Sequence, residues 1–346
     1  MDRSKKNLKD IFDIRGDSTL AGSEKEQLYT TIMKDVRRKR IFRLLWQSSA
    51  VAAVLLLGLT FLFIHRAEEN HMPDIQEIAR RSRGAFVENN TVQIASLDIA
   101  QKSLALKSLY AKEAKEDTKL SIQAKADKTH YSTIYVPYGK RQEVILPDGS
   151  TVWLNAGSYL TFNSNMVQGN REVYLNGEGF FNIKHTGSRF TVRTAQADIN
   201  VLGTSFNASS YEDEAVFSIE LLSGKVELNS PQKKFKSITM KPGERVAVNS
   251  QKNTVDITRN TAGDDMLWTK KQLALKNVKI RDLLKRMERI YNVKINADEE
   301  VYNMDIGYSG RLNVGVDIVT SLGSIYELRN YTIILKEKEV SIIQKE

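Results

Sequence analysis

The sequence contains no cysteine among its 346 residues. Disulfide scaffolds, zinc ribbons, iron–sulfur clusters and cysteine nucleophiles are therefore excluded. Any domain that lies outside the cytoplasm has to fold without covalent cross-links.

Histidine is also scarce. The four histidines, His65, His71, His130 and His185, are scattered along the chain and show no metal-ligand spacing such as H-x-x-x-H. We therefore expect no metal site, no bound cofactor and no zinc enzyme.

Charge of one sign is concentrated in a small part of the chain. The formal net charge is +9, and residues 1–43 hold 12 Lys and Arg against 7 Asp and Glu, which leaves only +4 for the other 303 residues. Since this basic excess lies beside a hydrophobic run, we interpret it as a membrane-orientation signal that also contacts anionic lipid, and we predict no direct binding to nucleic acid. The excess comes from Lys34, Arg37, Arg38, Lys39, Arg40 and Arg43.

The hydrophobic run covers residues 44–64, which are 21 consecutive uncharged residues. As an α-helix they would span roughly 31 Å, the thickness of a bilayer core. A secretory signal peptide is the alternative, but 43 residues precede the run and no A-x-A cleavage site follows Ile64. We therefore predict a single transmembrane helix with the N-terminus in the cytoplasm, because the basic residues flank its N-terminal end.

The cytoplasmic segment, residues 1–43, is too short for an independent domain. Ser23 and Glu26 form a capping-box pattern that predicts the start of a second helix. Both helices carry an apolar stripe that we expect to be covered either by a partner, which we favour, or by the membrane surface. The predicted partner-binding residues are Leu8, Ile11, Phe12, Leu28, Tyr29, Ile32, Met33 and Val36.

Residues 65–130 have the composition of a stalk. Phe86 and Tyr110 are the only aromatic residues in a background rich in Lys, Glu, Ala and Ser. The pattern predicts a helix over 97–115, capped by Ser96, and a weak strand over 120–126.

From residue 131 to residue 257 short alternating apolar runs are separated by turn dipeptides. This pattern predicts an all-β domain, either a sandwich or a solenoid-like fold, and excludes a parallel α/β fold. Pro147-Asp148-Gly149 is typical of a hairpin turn. Gly177-Glu178-Gly179 precedes a strand and not a helix, so we do not expect a phosphate-binding loop there. Trp153 is expected to be a core residue.

Residues 264–346 have a different rhythm, after a linker near residues 258–265. The periodicity predicts a small α+β domain of order βαββαββ, with one sheet and two helices on one face. The last strand, residues 340–343, is expected to be an unpaired edge that could accept a strand from a partner. The alternative is that this strand only closes the core of its own domain.

Six short motifs follow one another in the predicted all-β domain: VPYG at 136–139, LPDGSTVWLNAGS at 146–158, REVYLNGEGFF at 171–181, VLGTSFN at 201–207, LSGKVE at 222–227 and KPGE at 241–244. These motifs and their order closely resemble the FecR family of membrane-bound anti-sigma factors. The family-motif residues, which we expect to be structural, are Pro147, Asp148, Gly149, Trp153, Asn155, Gly177, Glu178, Gly203, Thr204, Phe206, Gly224, Pro242 and Gly243. The C-terminal domain resembles the short N-terminal module of secretins and TonB-dependent proteins.

The resemblance implies a single-pass protein of the inner membrane in a Gram-negative cell, with a periplasmic C-terminus. Its cytoplasmic segment would sequester an extracytoplasmic-function sigma factor, and its periplasmic part would contact the signalling domain of a TonB-dependent outer-membrane transducer. Proteases would be involved in releasing the sigma factor.

Two other functions stay open on the residues alone. One is a membrane-tethered periplasmic scaffold for envelope assembly without a sigma partner. The other is an anchored glycan-acting enzyme that uses Asp148 and Glu178 as its two carboxylates. We favour the non-catalytic regulator over both.

Overall fold

The structure is a computed structural model of the whole chain. It describes residues 23, 27, 29–39, 74–86, 91–98, 106–109, 119–121, 130–166, 171–259, 264–325 and 328–345. The chain divides into two compact units, Met1–Met72 and Pro73–Glu346. The predicted transmembrane helix at 44–64 lies outside the described residues, and none of the helices that are described is long and apolar enough to cross a bilayer.

In the first unit, residues 29–39 are helical, in agreement with the predicted second helix. Thr30 and Thr31 both donate their hydroxyl hydrogen to the carbonyl of Gln27, so these β-branched residues satisfy their polar groups within the helix.

The second unit begins with a helix, α1 (Ile75–Arg83), and continues into a 16-stranded sheet. The strands are β1 (Gln93–Asp98), β2 (Leu106–Leu109), β3 (Leu120–Ser121), β4 (His130–Val136), β5 (Gln142–Ile145), β6 (Thr151–Leu154), β7 (Ser158–Asn163), β8 (Arg171–Asn182), β9 (Phe190–Arg193), β10 (Asp198–Val201), β11 (Ser205–Ser210), β12 (Val216–Ser223), β13 (Val226–Asn229), β14 (Ile238–Met240), β15 (Arg245–Asn249) and β16 (Thr254–Thr258). This β-rich architecture confirms the predicted all-β class.

The longest strand, β8, joins two halves of the sheet. Its first part pairs with β7 and β9, and its second part, from Gly177 onward, pairs with β6 and β11. Gly177 has φ +122°, and a Cβ there would lie 2.4 Å from Ser158 Oγ. The change of partners at this glycine bends β8, so that one strand belongs to both halves.

The core of the β domain draws side chains from both halves into one apolar cluster. Strand alternation explains the selection, because Val152 and Leu154 are buried while Trp153 between them is only partly buried. The prediction that Trp153 is a core residue is therefore wrong. The largest fully buried aromatic residues are Phe162, Phe181, Phe190, Phe206 and Phe217.

The segment predicted as a stalk contributes to this fold. Residues 93–98 form β1, which pairs with β2 and β4, so the predicted helix over 97–115 is wrong. The apolar face of α1, formed by Ile75, Ile78 and Ala79, packs on Tyr131 and Tyr174. Pairing with β4 outweighs the helix preference of a sequence rich in Lys, Ala and Leu.

The C-terminal module starts with a 3-10 helix, Asp264–Lys270, whose Trp268 is buried. The elements that follow are β17 (Gln272–Lys279), α2 (Ile280–Tyr291), β18 (Lys294–Ala297), α3 (Glu299–Tyr302), β19 (Gly307–Asn313), α4 (Ile318–Gly323), β20 (Tyr331–Lys336) and β21 (Glu339–Gln344). The predicted βαββαββ order is present, with the short α3 in addition. In place of the single predicted sheet there are two, β17–β19 and β18–β21–β20.

The last strand is not an edge. β21 pairs in parallel with β18 and antiparallel with β20, and its Val340 and Ile342 are buried. The prediction that residues 340–343 offer an unpaired edge is therefore wrong. A parallel partner far away in the sequence leaves no local signal, and for this reason the pattern alone could not place the strand in the centre.

Candidate functional site

Asp148 of the Pro-Asp-Gly turn is buried against Arg171. The turn closes the β5–β6 hairpin, with Gly149 N donating to the Leu146 carbonyl at 2.9 Å and Gly149 at φ +81°. Arg171 donates from Nε to Asp148 Oδ2 at 2.9 Å, and both side chains are 4% exposed. Arg171 also donates to Thr186 Oγ1 and to the carbonyls of Lys184 and Ser188. The motif therefore forms a hairpin turn, as predicted, and ties it to the first residue of β8.

Gly203, Thr204 and Gly224 meet where two turns cross. A Cβ on Gly224 would lie 2.7 Å from the Gly203 carbonyl oxygen, and one on Gly203 would lie 2.5 Å from the Cβ of His185. The Thr204 hydroxyl donates to the Lys225 carbonyl at 3.1 Å. Gly203 and Gly224 are therefore required by the close approach of the backbones, and Thr204 adds a hydrogen bond between the two turns.

The remaining motif residues also have structural positions. Phe206 is buried and stacks on Phe181 with ring centroids 5.1 Å apart. The partly exposed Trp153 packs against Phe180, with ring centroids 5.6 Å apart. Pro242 and Gly243 make the turn between β14 and β15, where Gly243 has φ +80° and donates to the Leu221 carbonyl.

Glu178 stands at the centre of a second polar network, on the outer face of the β domain. Asn155 Nδ2 donates to Glu178 Oε2 at 2.7 Å, and Asn207 Nδ2 donates to Oε1 at 3.0 Å. Asn207 Oδ1 in turn accepts from the indole Nε1 of Trp268 at 3.1 Å. Asn207 thus links the Glu178 network to Trp268, a buried side chain of the C-terminal module.

A second anchor joins the module to the turn between β11 and β12. Arg289 of α2 is 3% exposed and donates from Nη2 to Glu214 Oε1 at 2.5 Å. Its guanidinium also lies 3.9 Å from the ring centroid of Tyr211. Tyr211 donates its hydroxyl to the Ala156 carbonyl, and burial strongly raises the pKa of this phenol. The buried charge is therefore paired and stacked, which is the condition for its stability in the interior.

Around these anchors the β domain and the module enclose a cleft of about 910 Å³. Its walls carry charges of both signs, among them Arg245, Lys252, Asp256, Asp282 and Arg286. Arg286 already pairs with Glu214 and Arg259 with Glu244. Because the charges are mixed and two of the arginines are already in ion pairs, we interpret the cleft as a junction between the β domain and the module. The lining does not favour the binding of anions or of cations.

The predicted partner-binding stripe is described in part. Tyr29, Ile32 and Met33 are half-buried, and Val36 is 54% exposed. The basic residues Lys34, Arg37, Arg38 and Lys39 are exposed on the same helix. The other predicted residues, Leu8, Ile11, Phe12, Leu28, Arg40 and Arg43, lie outside the described residues.

Both polar networks consist of hydrogen bonds and ion pairs between residues of this chain. The carboxylates of Asp148 and Glu178 each accept hydrogen bonds from side chains of this chain. No cluster of metal ligands occurs among the described residues. Asn155 and Glu178 belong to the predicted motif residues, whereas the other members of these networks were not predicted: Arg171, Asn207, Tyr211, Glu214, Trp268 and Arg289. Arg171 and Asn207 lie within the motifs at 171–181 and 201–207, and this was the sequence signal that could have identified them.

Comparisons with known proteins agree with the motif order. Residues 132–227 match the model of the FecR protein family. Two crystal structures of a candidate anti-sigma factor from Parabacteroides distasonis ATCC 8503 are similar to this chain at 28% identity and a TM-score of 0.57. Each covers 62% of this chain, and the matches span 100% and 99% of the solved chains. No curated protein matches the chain.

The family match begins in β4 and ends in β13, and it includes Asp148, Asn155, Glu178 and Asn207 of the two networks. The chain therefore contains a domain of the FecR family, at residues 132–227.

Proposed function

We propose that this protein is a membrane-anchored anti-sigma factor that acts by binding and not by catalysis. The observation that carries the proposal is the similarity, over 62% of the chain, to a candidate anti-sigma factor that is itself covered completely. The FecR domain supports the same assignment.

In this proposal residues 1–43 sequester an extracytoplasmic-function sigma factor in the cytoplasm. The apolar stripe of the helix at 29–39 supports this role, because Ile32 and Met33 lie on the same side as Val36, which is exposed. The bilayer is the second partner, through residues 44–64, which places the protein in the inner membrane with its C-terminus in the periplasm.

The proposed periplasmic input is the signalling domain of a TonB-dependent transducer, followed by proteolytic release of the sigma factor. The two anchors at Trp268 and Arg289 support this input, because they join the C-terminal module to the FecR domain through buried polar contacts. A partner that binds the module would therefore act on the β domain as well.

The test is the variant Ile32→Asp in cells that carry a reporter for the cognate sigma factor. A charge in a desolvated contact costs several kcal/mol, on the order of 2–4 at a hot spot, so reporter expression should rise to the level of a strain lacking the protein. Thr31→Asp is the matched control, since Thr31 is exposed on the other side of the same helix. Continued repression by normally produced Ile32→Asp protein would show that this helix does not bind the sigma factor. If removal of the whole protein also left the reporter unchanged, the scaffold function would be favoured instead.

A further inference from the structure

The turn between β11 and β12 carries three consecutive acidic residues, Glu212, Asp213 and Glu214. We call residues 211–215 the acidic turn. Its backbone is closed by a hydrogen bond from Glu214 N to the Tyr211 carbonyl at 3.1 Å. The acidic turn contacts two different elements, one with each end.

On one side the acidic turn holds α1. Arg83, the last residue of that helix, donates from Nη1 and Nη2 to the two carboxylate oxygens of Glu212, both at 2.7 Å. This bidentate geometry is the strongest form of an ion pair between an arginine and a carboxylate. The guanidinium also lies 5.1 Å from the ring centroid of Tyr159. The hydrogen bonds from Arg83 lower the pKa of Glu212.

On the other side the acidic turn holds α2 of the C-terminal module. Glu214 pairs with Arg289 at 2.5 Å and with Arg286 at 3.3 Å. Lys285 Nζ donates to the Asp213 carbonyl at 3.0 Å. Three basic residues of one helix therefore converge on the acidic turn.

The two contacts are separated by a single residue of the chain. The carboxylates of Glu212 and Glu214 are carried by the same short stretch of backbone, so a shift of that backbone would move the oxygens that Arg83 contacts. The helix α1 is close in the sequence to the predicted membrane helix. Its N-cap Asp74 follows Ile64, the last residue of that predicted helix, by only ten residues.

We propose that the acidic turn couples the docking of the C-terminal module to the docking of α1, so that displacement of the module loosens the helix that follows the predicted membrane span in the chain. The biological use of this coupling as a signal rests on the proposed function. The coupling itself is a property of the periplasmic fold, and it must be reciprocal, because a binding free energy shared by two contacts is the same from either side.

The test uses the full chain in lipid nanodiscs and measures hydrogen exchange of the backbone amides of α1 and α2. In Glu214→Gln and in Arg289→Met, the amides of α1 should exchange about tenfold faster. Reciprocally, Arg83→Met should speed the exchange of α2. The matched control is Lys279→Met, which removes an exposed ion pair with Asp305 within the module and should leave α1 unchanged.

Unchanged exchange of α1 in Glu214→Gln and Arg289→Met, with faster exchange of α2, would overturn the coupling. If Arg289→Met unfolds the module, which fast exchange in β20 and β21 would reveal, then Glu214→Gln decides, since Glu214 belongs to the β domain. The sigma-dependent reporter separates the two proposals. Coupling without any effect on the reporter contradicts its use as a signal and leaves the coupling intact, whereas the anti-sigma function is decided by Ile32→Asp.

Discussion

Arg171 and Asp148 form an ion pair that the fold has removed from water almost completely. Charges in such a position stabilise the protein only as long as every donor and acceptor is satisfied. Here the guanidinium has four acceptors, one carboxylate, one hydroxyl and two carbonyls. The side chain thereby connects the β5–β6 hairpin, the start of β8 and the loop that follows β8.

Arg171→Met should therefore lower the free energy of unfolding by about 3–5 kcal/mol, because Asp148 would be left as an unpaired buried charge. Urea denaturation followed by circular dichroism measures this change. Arg259→Met is the control, since the Arg259–Glu244 pair leaves the arginine 79% exposed and should cost less than about 1 kcal/mol. Equal losses in the two variants would show that burial is not what makes Arg171 important.

The pair of Glu212 and Arg83 should make stability depend on pH. Because Arg83 lowers the pKa of Glu212 in the folded protein, the pair stabilises fully above the pKa of the unfolded chain, about 4.3 for a glutamate. This contribution is lost as the pH falls through the lowered, folded-state pKa. The difference in unfolding free energy between the natural protein and Glu212→Gln should therefore be largest at neutral pH and vanish in strong acid. Both side chains are partly exposed, so its size should stay near 1 kcal/mol. A difference that grows on acidification would contradict this assignment.

At the scale of elements, the sequence predicted the type of most strands but not their partners. Alternation identified the hairpin of β5 and β6 because both its signals, the turn and the apolar period, are local. It failed for β1, whose partner β4 begins more than thirty residues later, and for β21, whose parallel partner is β18. Trp153 was predicted to be a core residue, but it alternates along β6 with the buried Val152 and Leu154 and is only partly buried.

The same limit applies to the candidate site. The family motifs contain Asn155, Glu178 and Asn207, but the residue to which Asn207 links them, Trp268, lies beyond the predicted domain boundary. Arg289 is one of four basic residues in an amphipathic helix, and only the fold distinguishes it by burying it.

The bend in β8 gives an element-scale prediction. Gly177→Ala should destabilise the protein by about 3 kcal/mol or more, since it combines positive φ with a clash against Ser158. Gly187→Ala is the matched control, because Gly187 also has positive φ, +81°, but no atom within 4 Å of the added Cβ. It should cost only about 1–2 kcal/mol. Thermal unfolding of both variants would separate the loss of stability caused by the clash from the loss caused by the positive φ. Similar melting temperatures would mean that β8 accommodates the methyl group.

At the scale of the whole molecule, the β domain and the C-terminal module share buried polar anchors. In the proposed function, residues 44–64 are the transmembrane segment that connects them to the cytoplasm. The proposed topology rests on the basic cluster, four of whose six members lie exposed on the helix at 29–39. Charge on one side of a hydrophobic run is a sequence property, so it can be tested without the fold.

A reporter enzyme that is active only in the periplasm should work when fused after Glu346 and should stay silent when fused before Met1. The expectation follows from the positive-inside rule. Exchanging Arg37, Arg38, Lys39 and Arg40 for glutamine is a useful companion experiment, because it should weaken the preference. If only the N-terminal fusion were active, the topology would be the opposite of the predicted one, and the argument for a cytoplasmic sigma partner would fail.

The sharing of β8 between two half-sheets also has a kinetic consequence. Strands β4 to β7 precede β8 in the chain, yet β6 and β7 both require it as a neighbour, so neither half can close until residues 171–182 have been made. Strands β9 and β11 then add to the same template. Folding should thus be one late, cooperative event, slow in the manner of domains rich in long-range pairings, on the order of milliseconds to seconds. Nascent chains that stop before residue 171 would leave one edge of β6 and of β7 without its partner strand and become substrates for chaperones and proteases.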